Sequence, residues 1–242
     1  MLSFIFYIFM VLLCTTFMII SAVALVVCYP FDPARRVVHE LSRFMVNVFY
    51  GVPPFWRCSV EGLENIERGK SYVMVMNHNA MMDIPTLYLL PLNFRWVSKR
   101  EVFKIPFFGQ FLVLHGDIAI ERGSGSAAMA QVIKEGKMWL GRGASVAIFP
   151  EGTRSKDGEI GRFKAGAFNL AREAGVEVLP VVMDGTRTMI KKGGLFNWRS
   201  DLTLRVLPAV KFTADDHIEG RAEMERVRAS MVEALAEIRS SK

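Results

Sequence analysis

The sequence predicts an α/β fold: a layered mixed β-sheet flanked by helices, with an N-terminal membrane helix and an amphipathic helix in front of it. Two observations lead to this prediction. From Cys58 onwards, short apolar runs alternate with segments of helical periodicity, which is typical of layered α/β sheets. The first 31 residues contain no Asp, Glu, Lys or Arg, although 22% of the whole chain is charged. We therefore expect a membrane anchor with an interfacial helix over residues 1–54 and a globular domain over residues 55–242.

The apolar stretch over residues 1–28 is the predicted membrane anchor. As a helix it would be about 42 Å long, against about 30 Å for a hydrocarbon core. A cleaved signal peptide is the alternative, because Ala22–Val23–Ala24 resembles a cleavage site, but the stretch is too long for one and lacks a basic beginning. Arg35, Arg36 and Arg43 follow the stretch. The positive-inside rule then places the body of the protein on the cytoplasmic side of the cell (inner) membrane.

A second helix is predicted between the anchor and the globular domain. Asp32–Pro33 is typical of an N-cap followed by proline at the first helical position. Apolar residues recur at helical spacing from there to about Tyr50, with charged residues between them. This helix either lies on lipid headgroups or packs on the domain as an ordinary helix. Residues 51–54 form a linker.

The globular domain is predicted to alternate strands and helices. The expected strands cover residues 58–61, 71–77, 94–99, 117–121, 145–149, 176–183 and 202–212. The expected helices cover roughly residues 80–90, 101–113, 124–141, 163–174 and 219–239. Pro180 interrupts one strand, and since proline cannot donate to a ladder it indicates an edge, a bulge or a special turn.

Composition narrows the class of partner. The formal net charge is +6, and a basic protein with an apolar end favours an anionic membrane surface or anionic substrates over nucleic acid. No nucleic-acid-binding signature is present, so no nucleic-acid partner is expected. The three cysteines have neither metal-site nor disulfide spacing. We expect no metal site and no bound cofactor, and we interpret His39, His115 and His217 as structural or surface residues.

The polar segment Asn77–Asp83 directly follows the apolar run at residues 72–76. A polar segment at the carboxyl end of a strand is where open α/β sheets bind ligands. His78 and Asp83 are five residues apart, so a strand-to-helix turn can return the carboxylate to one imidazole nitrogen. The other nitrogen is then an acceptor that can take a proton from a hydroxyl. A loop histidine beside a helix-starting aspartate, without chemistry, is the alternative.

A second polar segment, Phe149–Ser155, also follows an apolar strand. Gly152 allows a close backbone approach, Glu151 can accept hydrogen bonds from hydroxyls, and Arg154 offers a planar donor fork suited to phosphate. A polar turn without function is the alternative. A third segment ends another strand at Arg122.

Together these segments resemble the glycerolipid acyltransferase family, which includes 1-acylglycerol-3-phosphate acyltransferases. Residues 77–83 match its N-H-x-x-x-x-D motif and residues 149–155 match F-P-E-G-T-R-S. Residues 116–122 match the middle motif, with Glu121 where aspartate is more usual, and residues 178–182 match the proline motif. The resemblance runs from about Val60 to Pro208.

The resemblance implies acyl transfer from a thioester, either acyl-CoA or acyl carrier protein, to the sn-2 hydroxyl of 1-acylglycerol-3-phosphate (lysophosphatidic acid). The product would be phosphatidic acid, made at a phospholipid bilayer. His78 would be the general base, held by Asp83. The residues expected to bind the substrate are Arg122, Glu151, Gly152, Thr153 and Arg154, with Lys99 and Lys164 as weaker candidates.

The sequence leaves open the acceptor, the class of activity and the oxyanion donor. The acceptor can be another lysophospholipid or lyso-lipid, and the enzyme can instead be a membrane-anchored hydrolase of a thioester or phosphate ester. A tethered binding module without turnover is a third reading, against which the intact His78–Asp83 pair speaks. The oxyanion donor is unassigned, with backbone N–H groups near Asn79 or Gly152 as candidates.

Overall fold

A seven-stranded sheet forms the centre of the part of the chain that is described, in the order β1-β7-β6-β2-β5-β3-β4. The computed structural model describes residues 2–53, 55–106, 108–121, 125–191, 193–213 and 217–241. The strands are β1 Phe55–Glu61, β2 Val73–Met76, β3 Phe94–Lys99, β4 Ile118–Ile120, β5 Ser145–Ile148, β6 Val178–Asp184 and β7 Arg199–Val206. The α-helices are α1 Leu2–Cys28, α2 Arg36–Gly51, α3 Asp83–Thr86, α4 Phe108–His115, α5 Gly125–Gly141, α6 Gly166–Ala174 and α7 His217–Ser240. Short 3-10 turns cover Leu63–Asn65, Leu87–Leu89, Arg100–Lys104 and Thr186–Thr188.

Strand direction brings the ends of distant segments together. β2 is parallel to both of its neighbours, β5 and β6, and β3 is parallel to β5 and β4. These five strands therefore have their carboxyl ends at one edge of the sheet. β7 runs antiparallel to β6, and β1 is parallel to β7. The predicted mixed α/β sheet flanked by helices is confirmed.

The sheet is buried on both faces, which explains the continuous apolar runs of its strands. In β2, Met74 and Met76 pack in one cluster with residues of α1 and α2, whereas Val73 and Val75 pack in another with residues of α5, α6 and α7. Side chains alternate across a strand, so a strand with a helix layer on each face needs apolar residues at every position.

The start of α2 differs from the prediction. The helix begins at Arg36, three residues after Pro33, because Arg35 adopts a left-handed conformation with φ of 46°. Asp32 still satisfies a main-chain donor at the N-terminus of α2, because its Oδ2 accepts the Val37 N–H at 2.8 Å.

Three other predicted elements are shorter or broken. The helix over 80–90 is one turn, α3, continued by a 3-10 turn, and the strand over 202–212 ends with β7 at Val206. The helix over 101–113 is a 3-10 turn followed by α4. Pro106 accounts for the break, because it disfavours helical backbone at the residue before it, and Ile105 is extended with ψ of 123°.

Pro180 lies inside the sheet, so its interpretation as an edge residue is wrong. β6 pairs with β2 on one side and β7 on the other. The pairing slips beside the proline: Val181 pairs with Val206, but Val178 pairs with Val210. Between these pairs, three residues (207–209) face two (179–180), which confirms the bulge among the predicted alternatives.

A buried polar network joins α2 to the sheet. His39 Nδ1 lies 2.8 Å from His115 Nε2, and His115 Nδ1 lies 2.9 Å from Asp117 Oδ1, which also accepts the Trp96 N–H at 2.7 Å. Burial lowers the pKa of both histidines well below the usual value, and nearby Arg95 acts in the same direction. Burial raises the pKa of Asp117 to about 7. His39 and His115 are structural residues, as predicted, whereas the His217 side chain lies outside the described part of the chain.

α1 is the one helix among the described residues that is long and apolar enough to cross a membrane, with a mean hydropathy of 2.7. Its beginning is nevertheless packed on the globular body. Phe6 is 3% exposed, and its ring centroid lies 5.6 Å from that of Phe49, 6.2 Å from that of Trp56 and 4.7 Å from that of Phe196. α2 packs on the domain through Val46, Phe49 and Tyr50. Contact of α2 with lipid headgroups stays a prediction.

Leu235→Ala should destabilise the protein through α7. Leu235 is 2% exposed in the cluster beneath α5, α6 and α7, and truncating a buried leucine costs about 2–5 kcal/mol. Val232→Ala is the matched control, because Val232 lies on the same helix but is 37% exposed. Thermal unfolding in detergent should show a clearly lower Tm for the first variant alone. Equal Tm shifts would contradict the packing of α7 described above.

Candidate active site

His78 and Asp83 form a hydrogen-bonded pair at the carboxyl edge of the sheet. His78 follows β2 and Asp83 begins α3, so the turn between them brings the two side chains together. Nδ1 of His78 lies 2.8 Å from Oδ2 of Asp83. Asp83 is fully buried and the His78 side chain is 17% exposed. A carboxylate only accepts hydrogen bonds, so Nδ1 carries the proton and Nε2 of a neutral imidazole is an acceptor.

The Asp83 carboxylate has further donors on both oxygens. Oδ2 accepts the main-chain N–H groups of Asn79 at 2.6 Å and Ala80 at 2.8 Å, and Oδ1 accepts the Thr186 hydroxyl at 2.5 Å. The N–H of Asn79, which we considered as an oxyanion donor, is therefore already used by Asp83. Thr186 was missed in the sequence; the available signal was a hydroxyl residue just beyond β6, which ends at the same sheet edge as β2.

Aromatic stacking holds the imidazole from a second direction. The rings of His78 and Phe149 are stacked, with centroids 3.9 Å apart and planes at 13°. Phe149 in turn stacks on Trp96 of β3, at 5.0 Å and 21°. One face of the imidazole is covered, and the ring is restrained both by this stack and by Asp83.

The turn after β5 is bonded to the main chain of His78 on both sides. Glu151 accepts the His78 N–H through Oε1 at 3.0 Å and the Gly161 N–H through Oε2 at 2.9 Å. The Ser155 N–H donates to the His78 carbonyl at 2.7 Å. Glu151, 8% exposed, thus positions main-chain groups, and its contact with a substrate stays a prediction.

Gly152 and Lys164 lie together in this turn. Gly152 has φ of 71°, and its N–H donates to the Phe149 carbonyl at 3.0 Å, so this second candidate oxyanion donor is also already used. A Cβ at Gly152 would lie 2.8 Å from Nζ of Lys164. The Lys164 N–H donates to the Pro150 carbonyl at 2.9 Å. Gly152 therefore leaves room for a cation directly beside the turn.

The other predicted substrate-binding residues are spread along the same edge. Thr153 and Arg154 are exposed to solvent beside Gly152, and Lys99 ends β3 with its side chain half-buried. Arg122 lies outside the described residues. Within the part of the chain that the structure covers, no group of three or more His, Cys, Asp and Glu side chains could hold a metal ion. The expectation of no cofactor stays a prediction.

The sequence matches the acyltransferase family over residues 57–184, more than half of the chain. The chain belongs to this family. The resemblance drawn from the four sequence segments is therefore confirmed, and the matched region includes the His78–Asp83 pair and the turn after β5.

The relatives of known name belong to one group of acyltransferases. The chloroplastic 1-acyl-sn-glycerol-3-phosphate acyltransferase LPAT1 of Arabidopsis thaliana is 37% identical over 171 residues, which cover 69% of this chain and 47% of the relative. The 1-acyl-sn-glycerol-3-phosphate acyltransferase of Pseudomonas aeruginosa is 35% identical over 84% of this chain and 78% of the relative. The chain spans about half the length of the chloroplastic relatives from Arabidopsis thaliana and Brassica napus.

A solved acyltransferase structure has the same fold. The crystal structure of the 1-acyl-sn-glycerophosphate acyltransferase PlsC from Thermotoga maritima superposes with a TM-score of 0.69 at 27% identity, covering 93% of this chain and 95% of that one. The similarity therefore includes the N-terminal helices as well as the sheet.

Glu151→Gln should lower both the stability of this protein and any acyl-transfer activity that depends on His78. The amide keeps one oxygen acceptor but turns an NH₂ group towards the His78 or Gly161 N–H, and losing a charge-assisted hydrogen bond at a buried site costs about 1.5–3 kcal/mol. Thermal unfolding and acyl-transfer rates measure the two effects. Glu173→Gln, at an exposed glutamate of α6, is the matched control and should change neither. A variant with wild-type Tm and rate would show that Glu151 does not hold the main chain of His78.

Proposed function

We propose that this protein transfers a fatty acyl group from a thioester donor to the sn-2 hydroxyl of 1-acylglycerol-3-phosphate, giving phosphatidic acid. The observation that carries the proposal is the buried Asp83 carboxylate, which leaves Nε2 of His78 as a proton acceptor at the exposed edge of the sheet. The printed names of the relatives supply the substrate class.

The proposed step needs a base but no protein nucleophile. Nε2 of His78 takes the proton of the acceptor hydroxyl as its oxygen attacks the thioester carbonyl carbon. The tetrahedral intermediate collapses with cleavage of the C–S bond, and the thiolate receives the proton from the imidazolium. The products are an ester and a free thiol. Asp83 keeps Nδ1 protonated and stabilises the transient imidazolium, as expected of a residue that orients a general base.

We assign the acceptor phosphate to the cationic groups around the turn after β5. Lys164 Nζ lies beside Gly152, and Arg154 is exposed next to it. A guanidinium fork and an ammonium both suit phosphate oxygens. Lys99, which ends β3 at the same edge, and Arg122, assigned from the sequence alone, are the further candidates. Acyl-CoA and acyl carrier protein both remain as donors, and no bound cofactor takes part.

His78→Ala should lower acyl transfer by about 10²–10⁴-fold, the usual contribution of general-base catalysis. The assay follows labelled acyl transfer to 1-acylglycerol-3-phosphate and to other lyso-lipids, with Tm as the check on folding. A folded variant within a few-fold of wild type would overturn the mechanism. Thiol release is measured with and without acceptor, because a hydrolase would release thiol at the same rate in both.

We further propose that the protein works at the cytoplasmic face of the inner membrane with α1 embedded in one leaflet. Phe6, near the start of α1, is buried against Trp56 and Phe196 of the globular body. The other end of α1 leads within eight residues to Arg36 of α2, which packs on the same body. A helix across the bilayer would separate its ends by the hydrocarbon core of about 30 Å. Exposed apolar residues of α1 would face the lipid.

Epitope tags at the two chain ends test this topology. In membrane vesicles sealed with the cytoplasmic face outwards, added protease should remove both tags, because both ends of α1 lie on the side of the globular body. A marker protein with a domain inside the vesicle shows that the vesicles are sealed. Protection of the N-terminal tag alone would establish a spanning helix and overturn the single-leaflet arrangement.

A further inference from the structure

We infer that Thr186 is a positioning residue for the general base: its hydroxyl fixes the plane of the Asp83 carboxylate, and the carboxylate in turn holds His78. This inference rests on the proposed function only in assigning His78 as the base. Thr186 lies 103 residues from Asp83 in the sequence, and its Oγ1 donates to Asp83 Oδ1 at 2.5 Å. Both side chains are essentially inaccessible to solvent, at 1% and 0% exposure.

The two carboxylate oxygens are held differently. Oδ2 receives three donors: Nδ1 of His78 and the N–H groups of Asn79 and Ala80. Within the described residues, the hydrogen bond of Oδ1 comes from Thr186. Rotation about the Cβ–Cγ bond moves both oxygens, so it is opposed by the donors on Oδ2 and also by Thr186 on Oδ1. Without the Thr186 hydroxyl, Oδ1 would be a buried charged oxygen that lacks this donor, and the carboxylate would gain by turning towards other donors and away from Nδ1.

The backbone before Thr186 is built for this contact. Gly185 has φ of 96°, and a Cβ there would lie 2.1 Å from the Asp201 carbonyl oxygen. Only glycine fits that conformation and that approach. The resulting turn directs the chain from the end of β6 into the 3-10 turn Thr186–Thr188.

The strand before Thr186 is also fixed to the residue before His78. The Asn77 side chain donates to the Met183 carbonyl through Nδ2 and accepts the Met183 N–H through Oδ1, both at 2.8 Å. These two bonds continue the pairing of β2 with β6 beyond Met76–Val181. His78 and Thr186 therefore follow two neighbouring strands, β2 and β6, that are held in a fixed register.

Thr186→Val removes the hydroxyl while keeping a β-branched side chain of similar volume. It should lower kcat roughly 10–100-fold, the scale of loss from misplacing a reacting group, with KM for both substrates changed less than about 3-fold. Thr186→Ser retains the donor and should recover most of the rate. Thr188→Val is the matched control, because Thr188 lies in the same turn, is exposed, and donates to the Gly185 carbonyl rather than to Asp83.

Thr186→Val is then made both in the wild type and in an Asp83→Ala background. If Thr186 acts through Asp83, Thr186→Val should cost little further activity once the carboxylate is gone. The same loss in both backgrounds would show a separate structural role and overturn the inference, as would a wild-type kcat in the valine variant. Thr186→Ala replaces valine if the latter does not fold.

Nitrogen-15 and proton NMR of the histidine ring gives a readout that needs no substrate. The Nδ1–H resonance of His78 should shift in Thr186→Val and stay unchanged in Thr188→Val. If the wild type transfers acyl groups to no lyso-lipid, the proposed function falls while this measurement still decides the role of Thr186. An unchanged resonance in a folded Thr186→Val variant would overturn the inference.

Discussion

The buried Asp83 carboxylate is the constraint on which the rest of the site depends. A charge without solvent contact needs hydrogen-bond donors around it, and here they come from the loop after β2, from His78 itself and from the turn after β6. Supplying them requires β2 and β6 to be neighbours, and it uses main-chain groups that would otherwise be available to a substrate. The aromatic stack of Phe149 and Trp96 then restrains the ring that the carboxylate orients.

The parallel part of the sheet makes this arrangement possible for residues far apart in sequence. β2, β3, β4, β5 and β6 all end at one edge. Four of them carry parts of the proposed chemistry: His78 follows β2, Lys99 ends β3, the turn with Gly152 follows β5, and the Thr186 hydroxyl follows β6. β7 runs antiparallel to β6, and β1 pairs with the far side of β7. Trp56 of β1 and Phe196, just before β7, form part of the surface on which Phe6 of α1 packs. The proposed substrate-binding edge and the apolar helix α1 thus belong to one folded unit.

Much of this could be predicted from the sequence, because polar residues directly after apolar runs fall at strand ends. The pairing of His78 with Asp83 followed from their spacing. Contacts between distant segments could not be predicted in this way: a hydroxyl residue just beyond β6 marks Thr186 as lying at the sheet edge, but it does not identify a carboxylate partner 103 residues away. Sequence also cannot show that the Glu151 oxygens accept two main-chain N–H groups; the expected contact of Glu151 with substrate hydroxyls stays a prediction. The left-handed Arg35 and the break at Pro106 are local effects of backbone conformation that periodicity alone does not detect.

The bonds between His78 and the turn after β5 have a consequence for regiochemistry. Glu151 and Ser155 hold the N–H and the carbonyl of the residue that carries the base, so the imidazole and the turn form one rigid body. With the phosphate bound at that turn, as proposed, the distance from phosphorus to Nε2 is set by the protein and not by the lipid. A hydroxyl reacts only when its separation from the phosphate along the glycerol matches that distance. Selectivity between hydroxyl positions then arises from a fixed length within the fold, without a separate pocket for the glycerol backbone.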